Sequence, residues 1–70
     1  MFKIGIDVGG TFTDFVVDSD GESPRYFKTP STPHDPSEGV MTGLEDAAQA
    51  YGLPLQDFLD ATELVIHGST

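Results

Sequence analysis

The chain has 70 residues, no cysteine, and three basic side chains against twelve acidic ones, giving a formal net charge of −9. Disulfides and zinc–thiolate centres are excluded, and the acidic balance opposes binding to nucleic acid phosphates or anionic membrane surfaces. A chain of this size buries only roughly 60 % of the surface its unfolded form exposes. Without staples, it is expected to be an incomplete N-terminal segment, residues 1–70, that leans on a larger protein. No apolar run approaches the roughly 18 residues of a membrane span. Asp7 interrupts any signal-peptide core, so a cytoplasmic location is expected. His34 and His67 are far apart and show no metal-ligand spacing.

In chain order, Phe2 to Val8 reads as a strand with Ile4, Ile6 and Val8 on one face and Lys3, Gly5 and Asp7 on the other. Gly9-Gly10 is a hairpin signal, since both residues tolerate positive φ. Thr11 to Asp18 is the return strand. Asp20-Gly21 marks a second hairpin, and Arg25 to Thr29 a third, more exposed strand. Pro30, Pro33 and Pro36 then punctuate a loop. A helix follows, with Asp35 as N-cap, Pro36 in the first turn and Glu38 reaching back as a capping box. Val40, Met41, Leu44, Ala47, Ala48 and Tyr51 recur at helical spacing. Gly52 suits the position after the helix, and Pro54 prevents continuation. Leu55 to Leu59 reads as a short helical turn. Glu63 to His67, with Leu64-Val65-Ile66, reads as a buried strand, and Gly68-Ser69-Thr70 as the opening of another loop.

Asp7-Val8-Gly9-Gly10-Thr11-Phe12-Thr13-Asp14 is the stretch with chemical content. Glycines remove side chains, so backbone N–H groups can approach a phosphate. Thr11 and Thr13 offer hydroxyls to the same anion. Asp7 would repel phosphate directly and is better suited to hold Mg²⁺, often through water. The plainer alternative is a tight hairpin carrying a surface aspartate. Two commoner phosphate loops are excluded. No lysine completes Gly-x-x-x-x-Gly-Lys-Ser/Thr, and the glycines lead into a strand, not into the helix a dinucleotide fold requires. Lys3, Arg25 and Lys28 are too dispersed in sequence for an anion clamp. His34 reads as solvated, Glu45-Asp46 as an exposed helix face, and Tyr51 as packed with its hydroxyl at the surface. His67, at a strand end, is more often a structural histidine than a cleft residue.

Strand, Gly-Gly, strand with an acid just before resembles the first phosphate loop of the actin-like superfamily of sugar kinases, chaperones and related ATPases. Sugar kinases of this type usually carry a basic residue or another group where this chain has Asp14. The run Gly5 to Asp14 instead resembles the start of the hydantoinase/oxoprolinase family. So do Thr29 to Pro33, the Asp-Pro helix start and His67-Gly68-Ser69-Thr70, where the family commonly reads His-Gly-Thr-Thr. The resemblance implies an α/β fold, the N-terminal part of an actin-like (ribonuclease-H-like) ATPase domain: three antiparallel strands, a helix, then a further strand. It also implies ATP and Mg²⁺ as cofactors, with Asp7 organising the metal and Gly9, Gly10, Thr11 and Thr13 contacting nucleotide phosphates. Asp14 would support the loop or act near the transferred phosphate. The implied chemistry is phosphorylation of a substrate oxygen, followed by lactam hydrolysis or carboxylation of a cyclic amide or ketone, together with a second subunit of the hydantoinase B type. Two alternatives stay open: a non-catalytic binding or structural module, and a fragment of an actin-like sugar or acyl kinase.

Overall fold

The computed structural model describes residues 1–68, with side chains through Leu64. Ser69 and Thr70, and the loop expected there, lie outside the described residues. The elements are β1 (Phe2–Val8), β2 (Phe12–Ser19), β3 (Arg25–Pro30), α1 (Pro36–Ala50), α2 (Leu55–Asp60) and β4 (Thr62–Gly68). One sheet holds the four strands in the order β3-β2-β1-β4. β2 runs antiparallel to both β1 and β3. β4 lies parallel to β1, an arrangement that needs a long crossover, here supplied by α1 and α2.

Alternation along the strands sends Ile4, Ile6, Phe15 and Val17 toward the helices. There they bury against Leu44, Ala47, Ala48 and Phe58. The helix face differs from the one its apolar spacing suggests. Met41 is 40 % exposed, whereas Gly39 and Gly43 are buried. A Cβ at Gly43 would lie 2.0 Å from Phe15 Cζ. The helix therefore approaches β2 and β3 closely at small residues one turn apart, with Leu44 filling the core beside them. Thr29 Oγ1 donates to Gly39 O at 3.2 Å and ties β3 to the first turns of α1.

Both ends of α1 are capped. Asp35 accepts from Ser37 N at 3.2 Å and from Ser37 Oγ at 2.6 Å, and these bonds hold its carboxyl below the usual carboxylate range. The capping box does not form. The Glu38 carboxylate is drawn to His34 Nε2, at 2.7 Å, one turn upstream. At the other end Gly52 has φ 72°. Leu53 N donates to Ala48 O and Gly52 N to Gln49 O, both at 3.0 Å, which is the Schellman closure.

Two further expectations are corrected. The Tyr51 hydroxyl is buried, with no partner among the described residues. Its ring is held between Phe2, 4.9 Å away edge-on, and Phe58, while the Arg25 guanidinium covers it at 4.6 Å. That cluster turns the ring inward. Leu64 is 44 % exposed, because β4 is an edge strand of the described sheet.

Candidate phosphate-binding site

Between β1 and β2 the chain reverses through Gly9-Gly10-Thr11. Gly9 N donates to Phe12 O at 3.0 Å and closes the turn. Positive φ is not what this turn needs, since Gly21 and Gly52 alone adopt it among the described residues. Close approach is. A Cβ at Gly9 would lie 2.8 Å from the Phe12 carbonyl oxygen, whereas one at Gly10 would meet nothing within 4 Å. Space is thus left open around Gly10.

A residue that the sequence pattern did not single out sets the direction of this loop. Ser31 Oγ donates to Gly9 O at 2.7 Å, Ser31 N donates to Thr11 O at 2.9 Å, and Ser31 Oγ lies 2.9 Å from Thr13 Oγ1. A serine hydroxyl carries one proton. That proton goes to Gly9 O, so Thr13 is the donor in its pair with Ser31. Thr13 is accordingly inside, 1 % exposed, with its hydroxyl proton spent on bracing the loop. Thr11 faces solvent.

The consequence follows from peptide geometry. In a trans peptide the C=O and N–H point in opposite directions. With Gly9 C=O turned to Ser31, the N–H of Gly10 is turned away from it. Among the described residues neither the Gly10 nor the Thr11 N–H donates to a protein acceptor. Two adjacent backbone donors beside a clear space make a small anion cradle. On the Ser31 side, a pocket of about 210 Å³ lies between Val8, Gly9 and Gly10 and the segment Ser31, Thr32, Pro33 and Pro36.

Strand register gathers the acids at the same end of the sheet. Asp7 is the partner of Asp14 across β1 and β2, and Asp14 is the partner of Lys28 across β2 and β3. The backbone of His67 stands in register with Asp7. Asp7 and Asp14 are exposed on the sheet face opposite α1. Lys28 Nζ lies 3.8 Å from Asp14 Oδ1 and 5.0 Å from the Phe12 ring centroid. No cluster of three or more metal-ligating side chains occurs among the described residues. Two carboxylates and an anion cradle nonetheless match how Mg²⁺ is commonly held, by one or two carboxylates with phosphates and water completing the shell.

The fold therefore brings Asp7, Gly9, Gly10, Thr11 and Asp14 together and places Thr13 behind them. Residues 3–70 match the family described as the hydantoinase/oxoprolinase N-terminal region. The chain belongs to the hydantoinase/oxoprolinase family. It is 39 % identical over 70 residues to the caprolactamase subunit alpha of Pseudomonas jessenii, covering 100 % of this chain and 10 % of that protein. It is 42 % identical over 68 residues to the acetophenone carboxylase gamma subunit of Aromatoleum aromaticum, covering 97 % and 9 %. With the acetone carboxylase beta subunit of Xanthobacter autotrophicus it shares 35 % identity over 68 residues, covering 96 % and 9 %. The chain thus spans about a tenth of the length of the curated relatives it matches. Among the described residues no helix is long and apolar enough to cross a membrane.

Proposed function

We propose that this chain forms the first phosphate loop of an actin-like ATP-binding domain in an ATP-dependent enzyme subunit acting on a lactam, imide or ketone. The observation that carries the reading is the Gly10 N–H, turned away from Ser31 by the bond that holds the Gly9 carbonyl, next to a Thr11 N–H that donates to no protein acceptor among the described residues, two and three positions beyond the end of the strand that carries Asp7. Bound Mg·ATP supplies a phosphoryl group for transfer and a cation that neutralises charge on it. The Gly10 and Thr11 amides take phosphate oxygens. Thr11 adds its exposed hydroxyl, and Asp7 holds the magnesium or its waters. Asp14 stands across the sheet from Asp7 and shapes the same charged row.

The reaction class is transfer of a terminal phosphoryl group to a carbonyl or enol oxygen of the substrate. The bond from phosphorus to the ADP oxygen breaks as the bond to the substrate oxygen forms. In hydrolysis one water would open the ring to an acyl phosphate and a second would release phosphate from it. In carboxylation bicarbonate would take the phosphoryl group from the enol phosphate and break down to phosphate and carbon dioxide, which the freed enolate attacks. Relatives that are subunits of a caprolactamase and of two ketone carboxylases support this range of substrates and the presence of a partner subunit, for which a hydantoinase B type protein is the candidate. The test is substrate-dependent ATP hydrolysis by the intact protein with its partner, assayed against hydantoins, 5-oxoproline, lactams and small ketones. ATP turnover that rises with one of these substrates is expected, and failure to bind Mg·ATP removes the reading.

A further inference from the structure

We propose that Lys28 is the cation that meets the nucleotide's polyphosphate, held ready beside the Gly9–Thr11 loop by Asp14; this rests on the nucleotide-binding reading above. The argument begins with charge. A polyphosphate reaching the exposed face meets Asp7 and Asp14 on a chain of net charge −9. The amides of Gly10 and Thr11 offer only partial charges. Of the other side-chain cations, Lys3 is 3.8 Å from Glu63, at the far end of β1. Arg25 donates to Ala50 O at 3.3 Å and covers Tyr51. Lys28 is the lysine whose strand register places it in the row of Asp14 and Asp7.

Its local contacts are loose in the way a ligand-binding lysine needs. The ammonium stands 3.8 Å from Asp14 Oδ1, with both side chains more than half exposed, and such pairs add little to stability. It also stands over Phe12, the residue next after the loop, at 5.0 Å. A flexible four-carbon stem with three rotatable donors can move from a carboxylate to a nearby phosphate oxygen while the sheet stays fixed. Asp14 thereby keeps the cation on the loop side of β3. The simpler account, in which Lys28 only neutralises Asp14, makes a different prediction when both are removed.

The experiment measures Mg·ATP affinity by calorimetry on the intact protein and on Lys28→Met, Lys28→Arg, Asp14→Asn and the double variant Lys28→Met/Asp14→Asn. Losing a charge-assisted phosphate contact should weaken Lys28→Met by about 10- to 100-fold, and Lys28→Arg should restore most of that. Because Asp14→Asn by itself relieves repulsion of the polyphosphate, the double variant is compared with Asp14→Asn alone. It should bind more weakly than Asp14→Asn by a similar factor, since what is missing is a cation and not a partner for Asp14. Unchanged affinity in Lys28→Met, or equal affinity in the double variant and Asp14→Asn, overturns the assignment while nucleotide binding by the parent protein stands. A parent protein that binds no Mg·ATP overturns both.

Discussion

Two turns of the same sheet use glycine for opposite reasons. At Ser19 to Glu22, Glu22 N donates to Ser19 O at 3.0 Å, and Gly21 adopts φ 76° in open space. Asp20 there meets the N-terminal ammonium at 3.4 Å, and both are well exposed. At Gly9 to Thr11 the backbone needs no left-handed residue. Gly9 is required by contact with Phe12 O, and Gly10 leaves its surroundings empty. Ser31 reaches this turn from just beyond the C-terminal end of β3, whereas the Ser19 turn is closed by its own residues. A glycine kept for conformation marks a turn; a glycine with empty space beside unbonded amides leaves room that the proposed nucleotide would use.

The largest effect should separate the two aspartates. In the intact protein, Asp7→Ala is expected to lower Mg²⁺-dependent ATP turnover by about 10³-fold or more, since stabilising charge on a transferring phosphoryl group is a large catalytic effect. Asp20→Ala should leave turnover within about twofold, as surface substitutions usually do. Steady-state rates of both variants, with circular dichroism to verify folding, decide the matter. A folded Asp7→Ala protein at parental rate would make the two turns equivalent.

The next effect separates the glycines. Gly21→Val forces a branched side chain into positive φ and should cost roughly 1–3 kcal/mol of stability, with ATP affinity unchanged. At Gly10 a Cβ would meet nothing within 4 Å, so Gly10→Val should cost under about 0.5 kcal/mol, yet weaken Mg·ATP binding by about tenfold or more through crowding of the ligand. Paired melting curves and titrations provide both numbers. If Gly10→Val binds nucleotide normally, the open space is incidental.

Much of this was readable in the sequence, and the misses share one cause. Strand alternation and both caps of α1 depend on neighbours within a few residues, so Ile4, Ile6, Asp35 and Gly52 announce their roles locally. Thr13 and Ser31 do not. Their hydroxyl pair joins residues 18 apart in sequence, and only the turn from β3 into α1 brings them together. Lys28 looked isolated because its register partner, Asp14, is on another strand. Gly39 and Gly43 break the apolar pattern of α1, because close approach to Phe15 selects for the absence of a side chain, which a hydrophobic count cannot register.

A smaller effect is expected from Ser31→Ala. The change leaves Gly9 O and the Thr13 hydroxyl without their partner, a loss of about 1–3 kcal/mol for groups partly out of water. The Gly9 carbonyl is then free to turn outward, so Mg·ATP affinity should fall about threefold to tenfold, by the same contact arithmetic. Ser31→Thr keeps the hydroxyl and should recover part of both. The corresponding substitution at the other turn, Ser19→Ala, leaves the Ser19 carbonyl that accepts from Glu22 N in place and should change neither.

The smallest effect is a pH dependence confined to one of the two turns. Asp35 is hydrogen-bonded by Ser37 and titrates below the usual carboxylate range when folded. A group whose folded pKa is depressed contributes stability above its unfolded pKa and loses it as pH falls through the folded one. The contribution is therefore complete at neutral pH and disappears below about pH 4, with little change above about pH 5. Protonated Asp35 is a poorer cap for Ser37, and its backbone is also bonded to Thr32, whose Oγ1 accepts from Gly39 N at 2.9 Å. That loosening adjoins Ser31 and the Gly9 turn, while the Ser19 turn lies at the other end of the hairpin. Hydrogen exchange, normalised to intrinsic rates, should show residues 31–40 losing protection between about pH 5 and pH 3. Residues 19–24 should stay level over the same range. Asp35→Asn removes the charge and should flatten the first curve, whereas a slope that persists in Asp35→Asn assigns the loosening to another carboxyl.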